Sequence, residues 1–247
     1  FTLGEKNPPL DNPTKIKEFR QLNDTIEKMT RRSEDMYSQQ KQFIENASHE
    51  LQTPLAICRN KLELLAERTD CTEGQLQEIA DIHRNIGRII KLNKSLLLLS
   101  RIENGQFHEV KEVELNPIIQ ELIEDFQEIY EHKELQIHLE EEATCKVRMN
   151  ESLANTLVTN LLKNAMVHTP PKGEISIRIL ADRIIFSNSS EGEALDTSRL
   201  FTRFYQADNK KTDSTGLGLA IVQSITNLYH FRISYSYDGK HRFDLRF

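Results

Sequence analysis

Residues 43–54, FIENASHELQTP, set His49 beside Glu50 within an apolar-periodic stretch and place Pro54 one helical turn later. A proline inside a helix lacks the N–H and clashes with the carbonyl four residues back, here that of Glu50. The spacing predicts a helix that is bent or loosened just past the histidine. Working outward, Phe43, Ala47, Leu51, Leu55, Cys58, Leu62 and Leu65 recur at steps of three and four, the stripe of an amphipathic helix. His49 is two residues from Ala47 and from Leu51, about 200° around the helix from each. The pattern turns it off the stripe, toward solvent.

Upstream of this stretch the pattern has a seven-residue register. Phe19, Ile26, Ser33 and Gln40 fill one seam position, and Leu22, Met29, Met36 and Phe43 fill the other. That describes a coiled coil, weakening toward His49 as one seam turns polar at Ser33 and Gln40. Before Ile16, with Pro8, Pro9 and Pro13, the chain reads as an irregular entry segment. After the breaker-rich RTDCTEG (68–74), a second stripe runs Leu76, Ile79, His83, Ile86, Ile90, Asn93, Leu97. Two such helices joined by a short loop form an antiparallel hairpin. One hairpin buries its stripe poorly, so two chains are expected to form a four-helix bundle.

The pattern changes after SRIENGQF (100–107). Asn116-Pro117 reads as a helix start with proline at the first helical position, followed by the apolar face Ile118, Ile119, Leu122, Ile123, Phe126 and Ile129. QIHLE (136–140), EISIRI (174–179) and RIIF (183–186) read as strands, with a helix from about Glu151 to Val167 among them. ISYSY (233–237), the turn Asp238-Gly239 and RFDLRF (242–247) form a terminal hairpin. The expected class is α+β: a helical-hairpin dimerisation domain followed by an α/β sandwich. The expected domains are 1–40 (coiled-coil linker), 41–108 (hairpin) and 109–247 (sandwich), with the main change of pattern between residues 105 and 114.

The bulk numbers narrow the function. Of 247 residues, 28% are charged and the net charge is -6, which argues against a general nucleic-acid role. Cys58, Cys71 and Cys145 have neither metal-ligand spacing nor an even framework, which favours a reducing compartment. No signal-peptide pattern is seen, and no apolar run reaches the roughly 18 residues of a membrane span.

Three stretches carry chemistry. Glu50 can take a proton from one nitrogen of His49, leaving the other as a nucleophile able to attack phosphorus. On its own, an exposed histidine on a helix is more often simply solvated. In NLLKNA (160–165), Asn160 and Asn164 share one helix face. They read either as a polar face or as neutral oxygen ligands for Mg²⁺, which prefers oxygen donors and is shared with substrate phosphates. His168 ends that helix, where its ring could cover a flat heterocycle. STGLGLAIV (214–222) sets Gly216 and Gly218 at a helix start, where unpaired N–H groups face an anion; the GK[ST] ending of a Walker loop is absent. QADNKKTDS (206–214) suits either a solvated loop or a lid over phosphates.

The order of these stretches resembles the sensor histidine kinases of two-component signalling, over about residues 15–247. FIENASHELQTPLA resembles the phosphoacceptor box, NLLKNA the N box, LFTRFY (200–205) the F box and TGLGLAIV the G2 box. The coil before them resembles the end of a HAMP-type linker, which in the family follows a transmembrane helix. The resemblance implies a homodimer, a Bergerat-type ATP-binding domain, and the cofactors ATP and Mg²⁺. It also implies transfer to the receiver domain of a response regulator, with this chain as the cytoplasmic portion of a bacterial inner-membrane sensor. By position, His49 is the phosphorylated residue, Glu50 its base, and Thr53 the residue that orients water during regulator dephosphorylation. Asn160 and Asn164 serve Mg-ATP, His168 the adenine or ribose, and Thr215, Gly216, Leu217 and Gly218 the phosphates. Phe201 and Phe204 anchor the base of the lid.

Two positions depart from the family pattern. Where an adenine-reading Asp begins a D-x-G-x-G stretch, FSNSSEGE (186–193) has Asn188 and then Ser190. A neutral hydrogen bond contributes about 0.5–1.5 kcal/mol against roughly 1.5–3 for a charged one, so weaker nucleotide binding, by about fivefold, is expected. Val167 stands where a basic residue often faces the phosphates, with Lys163 or Arg203 as substitutes. The alternatives are a degenerate, non-catalytic scaffold and a phosphatase-dominant regulator.

Overall fold

The computed structural model describes residues 17–68, 71–206 and 215–247, without the side chains of residues 37, 40, 41, 43–45 and 49. The proline-containing entry segment and residues 207–214 of the expected lid lie outside the described residues, as does the direction of the His49 side chain. The chain divides into two compact units, Phe1–Asn104 and Gly105–Phe247.

The first unit holds two helices, α1 (Lys17–Ala66) and α2 (Glu73–Glu103). Coil register and hairpin stripe thus belong to one 50-residue helix, which runs on through Pro54. The missing N–H withdraws one backbone bond, at the Glu50 carbonyl, and the turns on either side keep the helix together. Thr72 starts α2 through a capping box: its hydroxyl accepts from Gln75 N, and the Gln75 side chain accepts from Thr72 N. Two orphan donors are satisfied reciprocally. His83 meets Glu63 at 3.4 Å, and Asn93 meets the Ser48 carbonyl at 2.6 Å. One number falls as the other rises, so α1 and α2 are antiparallel.

Each helix also carries a second apolar stripe that the sequence reading did not separate from the first. Leu51, Ile57, Leu64 and Leu65 on α1, with Leu76, Ile82 and Ile89 on α2, stay exposed, as do Phe19, Leu22 and Met29 in the coil. An apolar area of this extent on one chain calls for a covering surface, and a second hairpin in a four-helix bundle supplies one.

The second unit runs β1 (Lys111–Glu114), α3 (Leu115–Ile129), a 3-10 turn (Glu131–Lys133), β2 (Gln136–Glu141), β3 (Lys146–Met149) and α4 (Glu151–His168). It continues with β4 (Glu174–Ile179), β5 (Arg183–Ser189), α5 (Gly218–Leu228), β6 (Arg232–Tyr237) and β7 (Lys240–Arg246). The main sheet has the order β2-β4-β5-β7-β6, and only β2–β4 is parallel. The short pair β1–β3 was not expected, because KEVE and KVRM show a single buried valine or one Val/Met pair among charges. α3 begins at Leu115, so Pro117 is its third residue rather than its first. The Asn116 side chain is used elsewhere, accepting from Cys145 N and donating to the Ala143 carbonyl.

Alternation fixes which sheet face is covered. Ile175, Ile177 and Ile179 of β4, Ile184 and Phe186 of β5, and Phe243 and Leu245 of β7 are all buried. α4 supplies Leu157, Val158, Leu161 and Met166 to the same core, and α5 supplies Val222 and Ile225. Along this face the antiparallel register pairs Ile184 with Leu245, then Phe186 with Phe243, then Asn188 with His241. The apolar layer therefore ends in a polar pair.

Candidate functional site

The site grows from α4. Asn150 caps it by accepting from Leu153 N, and a continuous apolar face buries it against the sheet. Asn160, Asn164 and His168 recur every four residues on the remaining face, which spans eight residues, or about 12 Å. Lys163 is exposed beside them and Val167 is half-buried.

One end of this row meets the glycine-rich helix start. Asn160 Nδ2 donates to the Thr156 carbonyl at 2.8 Å, which leaves Oδ1 as its outward atom. A Cβ built on Gly218 would come within 2.9 Å of that Oδ1, so the absence of a side chain at Gly218 lets α5 approach the asparagine. No side chain caps α5; buried Leu217 holds the N-cap position, and the first amides keep their donors for an anion. Gly216 has φ +67°, and the Phe204 N–H donates to its carbonyl at 2.9 Å. A Cβ on Gly216 would fall 2.8 Å from the Phe204 carbonyl carbon. The 200–205 turn and the start of α5 are thus joined through backbone. Buried Leu200 seats that turn, Phe201 and Thr215 are half-buried, and Arg203 and Phe204 are exposed.

The other end of the row meets the polar pair on the sheet. His168 lies near enough to act electrostatically on His241, which is the register partner of Asn188 across the ladder. Burial, and then His168, push the His241 ring below its ordinary pKa, so its neutral form prevails at neutral pH. The segment replacing D-x-G-x-G is tied down by β6. The Tyr235 hydroxyl accepts from Leu195 N at 3.0 Å, and the Tyr237 hydroxyl donates to the Gly192 carbonyl at 2.7 Å. Neither tyrosine was foreseen, since ISYSY shows only strand alternation. Lys133 was missed as well: its ammonium donates to the carbonyls of Met166, Val167 and Thr169 at 2.8–2.9 Å. It closes the C-terminus of α4, and burial lowers its pKa.

Among the described residues no three His, Cys, Asp or Glu side chains cluster to hold a metal ion. Asn160 Oδ1 at the start of α5, with Asn164 one turn on along the same face of α4, offers neutral amide oxygens, a type suited to Mg²⁺ that is shared with phosphates rather than caged by protein. Asn164→Asp adds a charge to that set and is expected to cut Mg-ATP binding or turnover at least about tenfold, about 1.4 kcal/mol. Calorimetric titration and labelled turnover measure it, and parity with wild type would remove Asn164 from the metal shell.

In the first unit, Glu50 and Thr53 are exposed on α1 on either side of the turn after His49. One contact there was not legible in the sequence. Buried Asn93 of α2 donates to the Ser48 carbonyl at 2.6 Å, pinning the backbone one residue before His49. Asn93 had read as an ordinary member of the α2 stripe.

Comparison with known proteins finds two family matches along the chain. Residues 39–105 match the His Kinase A (phospho-acceptor) domain, and residues 149–247 match the histidine kinase-, DNA gyrase B- and HSP90-like ATPase family. The heme sensor protein HssS of Staphylococcus epidermidis is 34% identical over 206 residues, which is 81% of this chain and 45% of the relative. The sensor protein QseC of Escherichia coli K12 is 26% identical over 236 residues, covering 94% of this chain and 52% of QseC. The chain spans about half the length of these curated relatives. Full-length ShkA in complex with AMPPNP shares the fold at TM-score 0.66 and 20% identity, over 83% of this chain and 45% of that one. The Acinetobacter baumannii histidine kinase AdeS does so at TM-score 0.54 and 22% identity, over 80% of this chain and 96% of that one. With a phosphoacceptor domain on the hairpin and the kinase-type ATPase domain on the sandwich, the chain belongs to the sensor histidine kinases.

Proposed function

We propose that this chain is the catalytic portion of a homodimeric sensor histidine kinase, joined to a membrane through a preceding segment. It phosphorylates His49 from ATP and passes the phosphoryl group to an aspartate of a response regulator. A nitrogen of His49 attacks the γ-phosphorus, the bond from that phosphorus to the β–γ bridging oxygen breaks, and ADP leaves. Glu50 takes the proton from the ring. The catalytic unit contributes mainly by positioning and charge stabilisation. The α5 amides and Gly216 hold the phosphates, while Asn160 and Asn164 would hold Mg²⁺, which neutralises phosphate charge when bound. His168 covers the base or ribose, and Asn188 reads the adenine.

One observation carries the proposal: the Asn160 side chain abuts Gly218, and the same row of α4 runs on to His168, while Asn188 and His241 are register partners at the end of the sheet's buried face. One row of α4 can thus serve a triphosphate at one end and a base at the other. Incubation with γ-labelled ATP is expected to give acid-labile, base-stable label on the protein. A chain that binds ATP without becoming labelled would be a scaffold. One that only strips phosphate from the regulator would be a phosphatase.

The phosphatase half of the reading rests on Thr53, one turn beyond His49 on the same helix face. Thr53→Ala is expected to keep autophosphorylation while slowing loss of phosphate from the regulator about tenfold or more. Equal decay of the phosphorylated regulator with wild type and variant would end the water-orienting role.

A further inference from the structure

The Asn188–His241 pair closes the apolar layer of the sheet, and its hydrogen bonds leave a defined polarity. The Tyr235 hydroxyl already accepts from Leu195 N at 3.0 Å, and it lies 2.7 Å from His241 Nδ1. Among the described residues that hydroxyl proton has no other acceptor; assigned to Nδ1, it leaves the ring proton on Nε2. The Tyr235 and Tyr237 rings flank the imidazole at 5.8 and 5.1 Å between centroids, fixing its plane. On the other strand, Asn188 Nδ2 donates to the Ser189 carbonyl at 3.0 Å, which leaves Oδ1 as the acceptor. No described residue bonds Nε2 or Oδ1, and neither atom is sealed from solvent.

We infer that His241 is a second base-reading residue, donating from Nε2 to a ring nitrogen of a 6-aminopurine while Asn188 Oδ1 accepts from the amino group. The inference rests on the nucleotide site proposed above. Adenine offers this order, an amino donor beside a ring-nitrogen acceptor, whereas guanine sets its O6 acceptor where the amino group would be. Guanine would therefore place two lone pairs face to face at Asn188 Oδ1. The donor and the uncharged amide together do the work for which the resemblance leads one to expect a single carboxylate.

The test is calorimetric binding of ATP, 1-deaza-ATP, 7-deaza-ATP and GTP, each with Mg²⁺, to the whole chain. Wild type is expected to bind ATP more tightly than one of the two deaza analogues by roughly three- to tenfold, the range of one neutral hydrogen bond, and to disfavour GTP. His241→Phe keeps a flat ring between the tyrosines and removes both nitrogens. It is expected to bring that ATP-to-deaza ratio to about one, and His241→Gln, which restores an N–H donor, to recover part of it. A general loss of packing would lower all four affinities together and leave the ratio unchanged. Unchanged ratios in a folded His241→Phe protein overturn the inference. If that variant does not fold, equal wild-type affinity for ATP and both deaza analogues overturns it. Failure of wild type to bind ATP at all would instead overturn the nucleotide site itself.

Discussion

His49→Gln is expected to remove all acid-labile phosphate from the protein while nucleotide binding and dimer formation persist. The nucleophilic nitrogen is lost outright, and an amide cannot attack phosphorus in its place, so the fall in autophosphorylation is expected to exceed about 10⁴-fold, beyond the roughly 10²–10⁴-fold of a general acid–base group alone. Stability should hardly change. Residue 49 lies off the stripe formed by Ala47, Leu51 and Leu55, and the nearby cross-helix bond from Asn93 goes to the Ser48 backbone rather than to a side chain. Labelling with γ-labelled ATP, ATP titration and sedimentation on one preparation separate these readouts. Residual acid-labile label would show that another of the eight histidines carries the phosphate.

Gly216→Ala has the second largest expected effect, and it acts on the other unit. The backbone there has φ +67°, a region that costs a side-chain-bearing L-residue roughly 1–2 kcal/mol. The added Cβ would also lie 2.8 Å from the Phe204 carbonyl carbon and 2.9 Å from its Cα. Those are backbone atoms, and no rotamer change moves them aside. The turn at 200–205 must shift, and the bond from Phe204 N to the Gly216 carbonyl breaks or lengthens. ATP affinity is expected to fall by at least about tenfold, 1.4 kcal/mol. Gly239→Ala is the control: it also has positive φ, at 89°, but its Cβ would meet nothing within 4 Å. It should lower thermal stability without a selective loss of nucleotide. Equal ATP binding by Gly216→Ala and wild type would sink the backbone hinge between the F and G2 boxes.

These two variants probe residues that the sequence singled out in different ways. His49 stood out by its place two residues off an apolar stripe, and the resemblance of FIENASHELQTPLA to the phosphoacceptor box supplied its role. Gly216 was legible only as half of a Gly-X-Gly, a weak pattern; its partner Phe204 is far away along the backbone and was taken for an aromatic anchor. In the structure Phe204 is 55% exposed, and the main chain makes the link. Side-chain chemistry shows in a sequence, whereas a backbone-to-backbone approach leaves no residue-type signature.

The sequence by itself determined the long helices and the strands β2, β4, β5, β6 and β7. The seven-residue seam, the three-four stripes of α1 and α2, and the alternation in EISIRI and RFDLRF are local periodicities, and each follows from which side chains must leave water. It also carried the order of the phosphoacceptor, N, F and G2 stretches, from which the family was legible. Only the tertiary structure decided what those faces meet: Asn93 against the Ser48 carbonyl, Lys133 against the end of α4, Asn160 against Gly218, and Asn188 beside His241 with Tyr235 behind it. Most of these contacts join residues tens of positions apart, through hydrogen bonds at Asn93 and Lys133 and through close approach at Gly218. Their partners are chosen by packing and by the need to satisfy buried polar groups, neither of which has a period along the chain.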